Sequence, residues 1–329
     1  MRNEDKNKLL IGSGAAMLFA GLVAGTAYQL TKIFVKEALD REEPPVMKLA
    51  KSALEGHSSD AMDDQLTKRI AERKKLLQEE LPIERVEIES YDGTRLAGHW
   101  YPAEGMPKRT ILAMHGWRSS WSRDYSIISE FWHDQGCSVL FAEQRGQGES
   151  GGDHMGFGLK ERYDVLSWLR WMNEHKVGEE PVYLAGISMG AATVLMASAL
   201  PLPENVHGIM ADCGYTSPEA IWKHVMEDNL KLMYGPHRGL IQAMVKEKLN
   251  DEDMSYSAAD ALKESKTPVL FIHGTGDSFV PVTMTYENYL ACASEKRLLI
   301  VPGAEHGLSY IVDEKSYKKA VLDFFRDFD

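Results

Sequence analysis

Five residues, Gly186-Ile187-Ser188-Met189-Gly190, constrain this 329-residue chain more than any other stretch. They form a G-x-S-x-G pentapeptide between the strand-forming run Pro181–Ala185 and the helix-forming run Ala191–Ala197. A serine at a sharp strand-to-helix turn sits in a strained backbone conformation, and side chains two positions either side of it would strike the neighbouring strand and helix. The glycines permit the turn, and the turn lifts a hydroxyl clear of the sheet. The following helix presents unpaired N–H donors where negative charge would develop on an attacked carbonyl. With glycine near 7% of residues and serine similar, about 0.1 such matches arise by chance in a chain this long. The flanking strand and helix therefore carry the argument, and Ser188 is the candidate nucleophile.

Two later loops supply partners. The strand Pro268–Ile272 runs into His273-Gly274-Thr275-Gly276-Asp277, and the strand Arg297–Val301 into Pro302-Gly303-Ala304-Glu305-His306-Gly307. His306 is the only histidine downstream of Asp277, so the chain order is Ser188, Asp277, His306, as a nucleophile, acid and base on this type of fold require. Asp212, ending the strand Val206–Ala211, is the alternative acid. Upstream, the strand Thr110–Met114 ends in His115-Gly116-Trp117, where a glycine lets backbone approach a ligand. The Trp117 and Met189 N–H groups are the candidate oxyanion donors.

The remaining pattern is mixed α/β. Asp92-Gly93 marks a hairpin between Val86–Ser90 and Leu96–Tyr101. A helix from about Asp124 to Gln135, the strand Ser138–Ala142 and a helix over Leu159–Lys176 follow, and strands separated by helices imply right-handed parallel crossovers. Between Gly214 and Leu262 only helical spacing appears, with Trp222, Met226, Leu230 and Met233, then Leu240, Met244 and Leu249. This is either a cap over the site or ordinary packing. Gly146-x-Gly148-x-x-Gly151 matches a dinucleotide fingerprint but opens no apolar helix, so no nicotinamide or flavin cofactor is expected. The eleven histidines show no metal-ligand spacing, and Cys137, Cys213 and Cys292 read as core residues.

A net charge of −12 without a basic stripe argues against nucleic-acid binding. Leu9 to Thr31 are 23 consecutive uncharged residues between Lys8 and Lys32, about 34 Å as a helix against a hydrocarbon core of about 30 Å. This predicts a single-pass anchor over residues 1–35, with Gly25-Thr26-Ala27 as the cleavage site should it instead be a signal peptide. The expected location is the plasma membrane with the catalytic domain outside, although flanking basic residues leave the side open. Gly12, Ala16, Ala20 and Ala24, with Gly21-x-x-x-Gly25, form a small-residue face suited to a homodimer. Residues 36–82 read as a charged tether, with a helix over Asp63–Glu80 whose Leu66, Ile70 and Leu77 share one side.

From about Val86 to Phe328, within a catalytic domain expected over residues 83–329, the chain resembles the α/β-hydrolase superfamily, in its prolyl-oligopeptidase-like esterase and peptidase branch. The resemblance rests on His115-Gly116-Trp117, Arg145-Gly146-x-Gly148-x-Ser150, the Ser188 turn, the Asp277 loop and His306-Gly307. Glu143 departs from it, since many relatives carry aspartate there. The resemblance implies a serine hydrolase acting through an acyl-enzyme, with a small-molecule or lipid ester as substrate. An aminopeptidase-like amidase and a catalytically silent tethered binding module are the alternatives. Trp117, Trp121, Met189 and the Met- and Trp-bearing cap suggest an apolar acyl or alkyl group.

Overall fold

The computed structural model describes residues 25–42 and 61–329. Among these residues two helices precede the sheet, α1 (25–39) and α2 (Ala61–Glu79). Then come β1 (Glu84–Glu89), β2 (Arg95–Tyr101), β3 (Arg109–Met114), α3 (Trp121–Asp124), α4 (Ile128–Asp134), β4 (Cys137–Ala142), α5 (Glu161–His175) and β5 (Val182–Ile187). The second half holds α6 (Met189–Ala197), β6 (Val206–Asp212), α7 (Pro218–His224), α8 (Arg238–Leu249), α9 (Ala258–Glu264), β7 (Val269–Gly274) and α10 (Val282–Ala291). It ends with β8 (Lys296–Val301), α11 (Ser309–Val312) and α12 (Glu314–Phe328).

The strands form one eight-stranded sheet in the order β1-β2-β4-β3-β5-β6-β7-β8. β2 runs antiparallel to β1 and β4, and every other pairing is parallel. The predicted hairpin is present, closed by Ser90 N–H donating to the Thr94 carbonyl at 2.8 Å with Gly93 at φ +81°. Every residue of β4 and β7 is buried, as expected of strands covered on both faces. Connections leave β3 toward β4 on one side and reach β5 on the other, and such a switch point opens a crevice at the carboxyl ends of the strands. The loops after β3 and β5 begin with His115 and Ser188, so this crevice lies at the predicted site.

Two apolar clusters flank the sheet. One joins α5, α6 and the helices after β6, while the other joins α3, α4 and α12. The helices that precede the sheet divide between them. Val35, Ala38 and Leu39 of α1 are buried in the first cluster, and Leu77 of α2 in the second, with Leu66 and Ile70 packed alongside. Burying a leucine side chain contributes about 1.5–3 kcal/mol, enough to hold a highly charged helix on the domain by one face.

Some expectations fall outside the described residues, and others differ from the structure. The span predicted over Leu9–Thr31 lies outside the described residues except for 25–31, which begin α1. No helix among the described residues is long and apolar enough to cross a membrane. The small-residue face also lies outside them, apart from the exposed Gly25. The tether predicted to start at Lys36 is, over 36–42, chain packed on the domain. The helix predicted from Asp124 to Gln135 is two pieces, α3 and α4. Between them Tyr125 turns its ring inward and donates its hydroxyl to the Met114 carbonyl at 2.7 Å. Trp222 and Met226 are buried as their spacing predicts, but Leu230 and Met233 are exposed. Here Val225–Asn229 winds as a π-helix, which breaks the 3.6-residue period.

Candidate active site

Ser188 occupies φ +56°, ψ −117°, a conformation rare outside glycine, and its N–H donates to the Asp212 carbonyl at 2.9 Å. The two glycines are required sterically. A Cβ on Gly186 would collide with the backbone of Gly190 and Ala191, and one on Gly190 with the carbonyls of Met114 and His115. Strand β3, turn and helix α6 thus pack through bare backbone, as the pentapeptide predicts.

The side chains of Ser188, His306 and Asp277 come together at the ends of β5, β8 and β7. Ser188 Oγ lies 2.9 Å from His306 Nε2, and His306 Nδ1 lies 2.6 Å from Asp277 Oδ2. Asp277 Oδ1 accepts the N–H groups of Phe279 at 2.9 Å and Val280 at 2.8 Å. Burial pushes the Asp277 pKa up, but hydrogen bonds from His273 and His306, with the charge of His306, outweigh it. The carboxyl is held well below the usual carboxylate range. A carboxylate ionised in this way fixes Nδ1 of His306 as the donor and leaves Nε2 to accept the Ser188 proton.

Asp212 is placed elsewhere. Its carboxylate accepts the Ser309 hydroxyl at 3.3 Å and a hydrogen bond from Tyr317, while His306 turns to Asp277. Burial pushes Asp212 up to about 6, against the opposing pull of His273, Tyr317 and Ser309.

Around the loop after β3, His115 donates from Nδ1 to the Gly116 carbonyl at 2.8 Å and accepts the Gln144 N–H on Nε2 at 3.2 Å. Both ring nitrogens are thereby used in the neutral form, and burial lowers the His115 pKa. Gly116 lies against the Ser188 side chain. Its N–H donates to Asp124 Oδ2 at 2.8 Å, and Asp124 also accepts the Ser119 hydroxyl. The N–H groups of Trp117 and Met189 have no hydrogen-bond partner among the described residues. The Gly146–Gly151 stretch is a loop, as expected. Glu143 accepts the His99 ring N–H at 2.8 Å and the Glu149 N–H, and its carboxylate fills the space that a Cβ on Gly148 would need.

A pocket of about 220 Å³ opens beside Ser188. Ile127, Ile128, Ile187, Leu308 and Ile311 form its apolar wall, with Phe279 and Trp117 near the triad and Asp124, Asp212 and Tyr317 as polar points. Ile70 of α2 also lines it, a residue whose helical spacing was legible but whose place beside the pocket was not. No residue from Gly214 to Leu262 lines this pocket. Trp121 is absent from it too, being buried and stacked on His99 at 4.2 Å between centroids. Trp121, Trp222 and Met226 are core residues, while Leu230 and Met233 of the expected cap face outward.

Known proteins show the same architecture. The P. furiosus esterase structure superposes with a TM-score of 0.62 at 22% identity, covering 75% of this chain and 92% of that one. An acylaminoacyl peptidase from Pyrococcus horikoshii gives 0.57 at 17% identity, over 74% of this chain and 41% of that larger protein. Among relatives by sequence, the uncharacterized protein YqkD of Bacillus subtilis is 26% identical over 72% of this chain and 77% of its own length. Protein bem46 of Schizosaccharomyces pombe is 22% identical over 76% and 78% respectively. The model of the prolyl oligopeptidase family matches residues 123–328, which include Ser188, Asp277 and His306. The chain is a hydrolase by this measure, and it belongs to the prolyl oligopeptidase family within the α/β-hydrolase superfamily.

Proposed function

We propose that this protein is a serine esterase acting on a small acyl ester, with Ser188 as nucleophile, His306 as general base and acid, and Asp277 as the group orienting His306. The observation that carries the reading is the unbroken hydrogen-bonded line from Ser188 Oγ through His306 to Asp277, opening onto an isoleucine-lined pocket. As Ser188 Oγ attacks the ester carbonyl, its proton passes to His306 Nε2, and Asp277 stabilises the imidazolium without itself taking the proton. The negative charge on the carbonyl oxygen is met by the Trp117 and Met189 N–H groups. His306 then returns the proton to the leaving alkoxide. Water, deprotonated by His306, hydrolyses the acyl-enzyme and frees Ser188.

Pocket size favours a small group, since sites for drug-sized ligands run to about 300–1,000 Å³. An aminopeptidase-like reading draws on the family and on two carboxylates at the pocket. However, Asp124 is already engaged by Gly116 and Ser119, and Asp212 by Ser309 and Tyr317. Neither is an uncommitted counter-charge for a substrate ammonium. Fold alone does not decide substrate, so the test is kcat/KM for p-nitrophenyl esters of two to twelve carbons against aminoacyl p-nitroanilides. A preference for short esters of 10²-fold or more supports the reading, and the reverse preference replaces it with the peptidase. The run Leu9–Thr31 would hold this hydrolase at a membrane, for which retention in the membrane fraction after carbonate washing is the check.

A further inference from the structure

The last turn of an α-helix leaves four carbonyls without a partner inside the helix. In α1 the Lys36 carbonyl is satisfied by the Asp40 N–H at 2.9 Å, and the next three are satisfied from the hydrolase domain. Arg118 donates to the Glu37 carbonyl from Nη2 at 2.7 Å, the Trp117 indole Nε1 donates to the Ala38 carbonyl at 2.9 Å, and the Met155 N–H donates to the Leu39 carbonyl at 2.7 Å. Arg118 Nη2 also reaches the Asp40 carbonyl at 2.7 Å. A cation at a helix C-terminus is favoured by the helix dipole as well as by these bonds.

Two of the capping side chains therefore belong to consecutive residues of the loop after β3, whose Trp117 backbone N–H is the proposed oxyanion donor. Arg118 sits at φ +48°, a left-handed conformation that a non-glycine residue adopts only when its surroundings hold it there. The helix end is itself anchored on two other elements. Asp40 pairs with Lys248 of α8 at 2.7 Å, and the Arg41 N–H donates to the Asp153 carbonyl at 2.9 Å. The Arg41 guanidinium donates to the Gly148 and Ser150 carbonyls.

We infer that the C-terminal end of α1 is a positioning element for the oxyanion hole, acting on the Trp117 amide through the side chains of Trp117 and Arg118. Arg118 is then a positioning residue rather than a catalytic one. Its guanidinium points into the helix end, and it does not line the pocket beside Ser188. The family match begins at residue 123, so neither α1 nor this loop falls within it. The inference rests on the proposed esterase reading and extends it.

The test uses the full chain with p-nitrophenyl acetate as substrate and phenylboronic acid as a tetrahedral-adduct probe. Arg118→Met keeps the length of the side chain and removes its donors. Expected is a fall in kcat of about 10–10²-fold, a part of the 10²–10³-fold that loss of a whole oxyanion donor brings. KM stays within about twofold, boronate affinity falls with kcat, and Arg118→Lys recovers part of the loss. The active-site count from fluorophosphonate titration stays at the wild-type level. The inference is overturned if Arg118→Met keeps kcat within twofold, or if its loss of kcat equals its loss of titratable sites. Should Arg118→Met fail to fold, Trp117→Phe is decided by the same criteria, since it keeps a ring against Phe279 and removes only the indole donor. A wild-type chain that takes no label at Ser188 overturns the esterase reading itself. A labelled, active wild type with an unaffected Arg118→Met overturns only the role of α1.

Discussion

His273 and Asp277 meet at the end of β7, with His273 Nε2 3.1 Å from Asp277 Oδ2, the same oxygen that faces His306 Nδ1. The His273 ring is fully buried, donates also to the Val280 carbonyl at 2.9 Å, and has Nδ1 at 2.6 Å from the Thr285 hydroxyl. With Nε2 as the donor, Nδ1 accepts from Thr285, so the ring is locked and Asp277 is held from both sides. The Asp277 carboxylate is thus held by this second histidine as well as by the Phe279 and Val280 N–H groups.

Replacing His273 by alanine removes a hydrogen bond to a charged group, worth about 1.5–3 kcal/mol. If that loss falls on the orientation of His306, kcat drops by roughly 10–10²-fold, while Thr285→Val gives a smaller drop. Steady-state kinetics on the soluble, folded variants checks this. A His273→Ala enzyme with wild-type kcat would contradict the bracing role.

Asp212 predicts a pH effect on stability. Its pKa in the folded protein is pushed up to about 6 by burial, against an ordinary value of about 3.9. Between those values the native state holds more protons than the unfolded chain, so this group's contribution to stability falls as pH rises through the window and stays low above it. Asp212→Asn lacks that fall. The stability of the variant minus that of the wild type should therefore climb, on the order of 2 kcal/mol, between about pH 4 and 6.5 and then level off. Urea unfolding at four pH values across the window measures it, and a difference independent of pH contradicts it.

Ile70 lines the pocket from α2, so its size should affect the acyl length accepted. Ile70→Trp is expected to cut kcat/KM for the octanoate ester by about 10–10²-fold while changing the acetate ester by less than about threefold, given 1–3 kcal/mol per methylene of misfit. Ile70→Ala should move the preference toward longer chains. A uniform change across the ester series would show that Ile70 acts on folding or on the triad instead of on the substrate.

The turn at Ser188 was legible in the sequence because backbone geometry dictates it, and the chain order of Ser188, Asp277 and His306 was legible with it. Gly186 and Gly190 leave no room for a Cβ, and Asp277 and His306 follow β7 and β8, the second and third strands from β5 on one side of the sheet. The sheet was legible for the same reason, through apolar runs ending in glycine-bearing loops. The pocket was not. Ile70 lies on a charged helix far from the motif loops, and Trp121 and Trp222 look like substrate contacts by type while their rings are core. The contact of α1 with the loop after β3 left no pattern either, because it is made to main-chain carbonyls of residues 37–40, which any sequence supplies. His273 was visible beside Asp277, but nothing in its spacing distinguished a brace from a strand residue.

The central claim is that Ser188 is an activated nucleophile. The most direct measurement is labelling of the full-length chain with a fluorophosphonate, followed by mass spectrometry to locate the adduct, with Ser188→Ala and His306→Ala in parallel. The account predicts one adduct per chain, on Ser188, absent in Ser188→Ala and slowed by 10³-fold or more in His306→Ala, within the range seen when a triad member is removed. A folded wild-type protein that takes no label, or takes it on another serine, would contradict it.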